Sequence, residues 1–124
     1  MLDITFYSKN GQAQDPELVE VSEEMYQWLI KSDFSKIGKS VPRYIDVDGQ
    51  KEKLEVVQLT SGNRKKLKDF LEKAIVKISR EICHKLGEQP SMQELKQYYT
   101  ERLLKLDELL KFIENEKYFF LQRV

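Results

Sequence analysis

The rarest reactive side chains in this sequence are adjacent. Cys83 and His84 are the one cysteine and the one histidine of 124 residues. Side by side they suggest a thiol nucleophile and its base, two groups that must lie within hydrogen-bond reach. The sequence around them predicts a helix, and successive helical side chains point about 100° apart. The two therefore face different directions while the helix holds. No second histidine or cysteine exists to complete a metal site built on nitrogen and sulfur ligands. His84 also has a plainer use: a cation in the last turn complements the helix dipole.

Carboxylates give the next candidates. Asp46 and Asp48 are two apart in an extended segment, on one side of it, where they could hold a metal. A calcium loop asks for alternating oxygen ligands, a glycine at its sixth position and a glutamate at its twelfth. Gly49 comes too early, and Asp48-Gly49 reads as a hairpin turn instead. The sequence contains no GxSxG, HExxH, Walker A, GxGxxG or paired CxxC motif. No catalytic residue, metal ligand or cofactor is assigned from it.

Anion binding has a better candidate in LTSGNRKK, residues 59 to 66. This stretch runs from the end of a strand into the start of a helix, where free amides and the positive dipole end favour an anion. Arg64, Lys65 and Lys66 add charge. Three cations in a first turn oppose the macrodipole, at roughly 0.3–1 kcal/mol each when exposed. A locally unfavourable choice can mark a functional site, although the nearby Asp69 can offset it.

The charge map is polarised although the net charge is zero. Residues 62–86 carry eight bases and three acids. On a helix, Lys66, Lys73, Lys77 and Arg80 fall within about 60° of one another, with His84 alongside. Residues 1–30 carry six acids and one base. Asp15, Glu17, Glu20, Glu23 and Glu24 form the densest acidic run and could steer a basic partner such as a nuclease. The plain reading of both groups is solvated surface, with Glu23 and Glu24 as ordinary acids of a first helical turn.

The elements that must position these residues follow from periodicity. Residues 2–7 alternate apolar and polar and predict a half-buried strand; residues 18–21 predict a short one. Ser22 caps a helix whose apolar face continues to Ile37, ended by Gly38 and Pro42. Residues 43–48 and 54–59 predict a β-hairpin. Residues 62–86 predict the longest helix, with Leu67, Phe70, Leu71, Ala74, Ile75, Ile78, Ile82 and Leu86 inward and Gly87 as a left-handed exit. Ser91 and Glu94 form a capping box for a third helix, carrying Met92, Leu95, Tyr99, Leu103, Leu106, Leu110 and Ile113. The short link implies an antiparallel helical hairpin. Residues 117–123 predict a returning strand. The class is α+β: a small mixed or antiparallel sheet packed with three helices in a single domain over residues 1–124. A helical bundle with loose ends is the alternative.

Composition bounds the function. Charged residues make up 34% of the chain and hydrophobic ones 40%, which suits a globular fold with charged outer helix faces. A lone cysteine, no signal-like N-terminus and no long apolar run point to the cytoplasm and away from a membrane. The expectation is a non-catalytic protein-binding domain, in its most concrete form an immunity- or antitoxin-type inhibitor. Nucleic-acid or phosphate binding through the basic helix face is weaker, because aromatics are not interleaved with the cations. A small carboxylate-dependent enzyme is weaker still.

Overall fold

The computed structural model describes residues 2–8, 17–47, 50–89, 91–94 and 101–123. Strands β1 (Leu2–Ser8), β2 (Glu17–Val21), β3 (Val41–Val47), β4 (Gln50–Gln58) and β5 (Tyr118–Gln122) form one sheet in the order β2-β1-β5-β4-β3. Every pairing is antiparallel. The C-terminal strand therefore sits at the centre, joining the β1/β2 pair to the β3/β4 hairpin. Helices α1 (Glu23–Lys31), α2 (Ser61–Gly87), α3 (Met92–Glu94, a single turn) and α4 (Glu101–Glu114) complete the fold. This is the α+β class expected from the periodicity.

Alternation places the core. Ile4 and Phe6 of β1, Val19 and Val21 of β2, Val57 of β4 and Leu121 of β5 point to the helices and are buried. They meet Met25 and Leu29 of α1, Leu67, Leu71, Ala74 and Ile78 of α2, and Leu106, Leu109 and Ile113 of α4. The opposite sheet face holds a second cluster, in which Tyr7, Ile45 and Val56 are buried against Leu54 and Phe120. Adjacent residues Val56 and Val57 thus serve two different clusters, because successive strand side chains point to opposite faces. Two of the alternate members of β1 are also covered, Thr5 at 7% and Tyr7 at 8% exposed, while Asp3 is exposed. The strand expected to be half-buried is buried on both sides over residues 4–7.

Three boundaries and two positions expected to be buried differ from the sequence reading. The first helix stops at Lys31, short of Ile37. The Ser32 hydroxyl donates to the Leu29 carbonyl at 2.6 Å and accepts from the Phe34 amide at 3.2 Å. That local bonding competes with helix continuation and starts a 3₁₀ turn over Asp33–Ser35, which still buries Phe34. The hairpin is longer than expected, since β4 begins at Gln50. Its outer part is polar, but Asp46 faces Lys51 across the strands, and opposite charges in register support pairing. The left-handed residue after α2 is Gln89 (φ 54°), and Gly87 is the last helical residue. Met92 and Leu86, expected inside, are 81% and 53% exposed.

Helices α2 and α4 pack against each other antiparallel, as expected; Leu95 and Tyr99 lie outside the described residues. Arg64 in the first turn of α2 reaches the Ile113 carbonyl at the end of α4, so opposite ends lie together.

Candidate functional site

The turn at 59–66 is tightly self-satisfied. The Thr60 hydroxyl caps α2 by accepting from the Asn63 amide at 3.1 Å, and the Asn63 side chain donates to the Gln58 carbonyl at 2.8 Å. Arg64 turns inward. Its guanidinium donates to the carbonyls of Leu59 (3.1 Å), Ile113 (2.8 Å), Asn115 (3.2 Å) and Tyr118. Those of Ile113 and Asn115 belong to the carbonyl end of α4 and the loop into β5, groups that need donors. Burial pushes the Arg64 pKa below its ordinary value, with Glu116 acting the other way. The unfavourable charge at a helix N-terminus is thus explained by the C-terminus of the neighbouring helix. Arg64 acts as a clamp on the backbone, with four carbonyls engaging its guanidinium.

Arg123 does the same work at the other end of β5, and sequence reasoning missed it. It donates to the carbonyls of Phe34 (2.6 Å), Ile37 (2.7 Å) and Gly38 (3.2 Å), and burial lowers its pKa. No motif announces such a role. It depends on a turn more than eighty residues away in the chain.

The remaining cations face out. Lys65, Lys66, Lys73, Lys77 and Arg80 are exposed on α2. Among the described residues, no carboxylate forms an ion pair with Lys66, Lys73, Lys77 or Arg80. Two of the nearby acids are engaged elsewhere: Glu72 with Lys68 at 3.9 Å, and Glu88 with His84 at 3.4 Å and Lys85 at 3.3 Å. A groove of about 400 Å³ between α2 and the 3₁₀ turn brings Lys36 beside Lys66 and Lys73, a meeting that spacing along one helix cannot reveal. Asp33 and Asp69 line the same groove, so it is not uniformly positive. A second depression, about 670 Å³, has all its described lining residues on α2. One helix supplies no opposing wall, so this is an open face.

The acidic residues gather at the β2 edge and the start of α1. Glu17, Glu20, Glu23 and Glu24 are all exposed, while Asp15 lies outside the described residues. The Ser22 hydroxyl accepts from the Met25 amide at 3.1 Å, which fixes Glu23 and Glu24 in the first turn of α1. Glu24 lies 3.7 Å from Arg102, whose guanidinium also rests over the Trp28 ring. Among the described residues, Glu17, Glu20 and Glu23 form no ion pair. Asp3 sits directly opposite Glu20 across the β1/β2 pair, and both are exposed. Like charges so placed destabilise a sheet. The phenols nearby register carboxylates: burial and then Glu17 raise the Tyr118 pKa, and burial and then Glu52 raise that of Tyr7.

Cys83 and His84 are both exposed on α2. His84 lies beside Glu88, an arrangement that ties down the helix end. Asp46 faces Lys51, and Asp48 lies outside the described residues. Among the described residues no group of three His, Cys, Asp or Glu side chains is placed to hold a metal, and no helix is long and apolar enough to cross a membrane.

Comparison with protein-family models, curated proteins and solved structures finds no match for this chain.

Proposed function

We propose that this chain is a non-catalytic protein-binding domain of the immunity or antitoxin type, acting in the cytoplasm. It presents the acidic face of β2 and the start of α1 to a basic partner protein. The observation that supports the reading best is the pairing of Asp3 with Glu20. Two carboxylates held in cross-strand register destabilise the sheet by roughly 0.2–1 kcal/mol. Glu17 and Glu23 add the same sign nearby without a cation to balance them among the described residues. Charges on an edge strand also discourage strands of other chains from pairing with it. That protective task is served by either sign or by a mixture, as Pro42, Arg43 and Asp46 on the other edge strand, β3, illustrate. A run of one sign fits electrostatic steering of a cationic surface, which raises association rates and selects partners.

The test is affinity capture from the source lysate at low and high salt, followed by assay of the captured protein's own activity with and without this chain. A stoichiometric basic partner whose activity falls on binding is the expected result. A Glu17→Lys, Glu20→Lys, Glu23→Lys variant must release it. Retention by that triple variant, or a partner that works equally well in the complex, overturns the reading.

A further inference from the structure

One flank of α2 combines exposed apolar side chains with cations in a way that neither the core nor a purely charged surface explains. Val76, Ser79, Cys83 and Leu86 follow one another at steps of three, four and three residues. This is the spacing of a helix–helix seam, in which positions repeat every seven residues. Val76 is 50% exposed, Leu86 is 53% exposed and Cys83 is exposed. Ser79 and Cys83 are small enough for a second helix to come close. On one side of the seam, Ile75 and Ile82 pack against the core. The other side is lined by Lys73 and Arg80, seven residues apart and each within one turn of Val76. Glu72 closes the N-terminal end and pairs with Lys68.

We infer that this flank docks an amphipathic helix of a partner protein, with apolar residues in the seam and carboxylates along the edge that meets Lys73 and Arg80. Charge complementarity selects the occupant. In a seam of this kind the flanking positions carry the ion pairs that choose partner and orientation. A second copy of this chain on the same seam would set Lys73 and Arg80 against their own counterparts, because a two-fold contact uses the same patch on both subunits. A nucleic-acid backbone would engage the cations and leave Val76 and Leu86 without a role, since phosphate contacts come from cationic and polar groups.

This surface is distinct from the acidic face and is tested separately. The probe is a fluorescein-labelled synthetic helix about three heptads long, with leucine at the seam positions and glutamate at the flanking ones. A scrambled peptide of the same composition and a single-stranded oligonucleotide serve as comparators. Anisotropy titration is expected to show binding of the patterned helix and at least about tenfold weaker binding of the scramble, because a few packed apolar anchors dominate such contacts. Val76→Asp alone, and Lys73→Glu with Arg80→Glu, should each weaken the patterned helix by roughly tenfold or more. These side chains are exposed, so circular dichroism should report an intact fold for both variants. Glu17→Lys with Glu20→Lys should leave the titration unchanged, which keeps this result independent of the acidic face. Equal binding of the scramble, no response to Val76→Asp, or preference for the oligonucleotide with a steep salt dependence overturns the inference. So does the absence of any binding.

Discussion

Arg64 and Lys73 stand nine residues apart on the same helix and carry the same charge, yet they face opposite tasks. Arg64 lies in the turn where α2 meets the end of α4, and four backbone carbonyls surround it. Lys73 is exposed and forms no ion pair among the described residues. The difference lies in what the helix passes. Antiparallel packing sets the carbonyl end of α4 beside the amide end of α2, and those carbonyls require donors. A planar, five-donor guanidinium can satisfy several at once where an ammonium cannot. Farther along, α2 turns a face to solvent, and a cation there answers to no internal demand.

Removing the inward cation should have the largest effect. Arg64→Ala leaves carbonyls of Ile113, Asn115 and Tyr118 short of donors, and hydrogen bonds to charged groups contribute roughly 1.5–3 kcal/mol net. Urea denaturation is expected to show a loss of roughly 3 kcal/mol, largely unchanged in high salt because the contacts are short and partly buried. Arg64→Lys should recover less than half of it, because one ammonium cannot reach all four acceptors. A loss below about 0.5 kcal/mol, typical of surface substitutions, would place Arg64 with the outward cations and dissolve the contrast.

Gly38 probes the other jaw of the same architecture. Its carbonyl accepts from Arg123, and its φ of 73° belongs to the left-handed region. A Cβ there would stand 2.5 Å from Val57 Cγ1 and 3.0 Å from Asn63 Nδ2. Gly38→Ala combines the left-handed penalty of about 1–2 kcal/mol with a clash against a buried valine. Its expected effect in the same denaturation experiment is about 2 kcal/mol. Gly87→Ala is the internal comparison: nothing lies within 4 Å of a Cβ there and φ is not positive. A helical glycine to alanine change should stabilise by up to about 1 kcal/mol.

The cap sits between these extremes. Thr60→Ala removes the acceptor of the Asn63 amide and should destabilise by about 1 kcal/mol. A larger loss would mean that Thr60 also holds the strand-to-helix corner on which Arg64 depends.

The contrast also marks what the sequence carried and what it did not. Ser22 was readable as a start signal because a cap acts on amides two or three residues away. The inward stripe of Leu67, Leu71, Ala74 and Ile78 was readable because a helix repeats on a fixed period. Arg64 was grouped with its cationic neighbours in sequence, and the carbonyls of Ile113 and Asn115 that it holds are about fifty residues downstream. Arg123 gave no signal for the same reason. Leu86 fitted the inward stripe by spacing, but one end of a 27-residue helix need not be covered by the elements that cover its middle. The acidic face was visible as composition. The register that sets Asp3 against Glu20 needed the pairing of β1 with β2, and that pairing is a tertiary fact.

The smallest stability effect is expected where the proposed binding effect is largest. Lys73→Glu with Arg80→Glu changes two exposed side chains that form no ion pair among the described residues. Substitutions of that kind stay within about 0.5 kcal/mol, so the melting temperature should barely move. If it falls by several degrees, the outward cations stabilise the fold through a contact of their own, and the division between inward and outward cations on α2 fails. If it holds while the helical probe is lost, the two cations are dispensable to the fold and specific to the surface. That combination separates a binding face from an ordinary solvated one, because solvation alone gives a charge reversal nothing to disrupt.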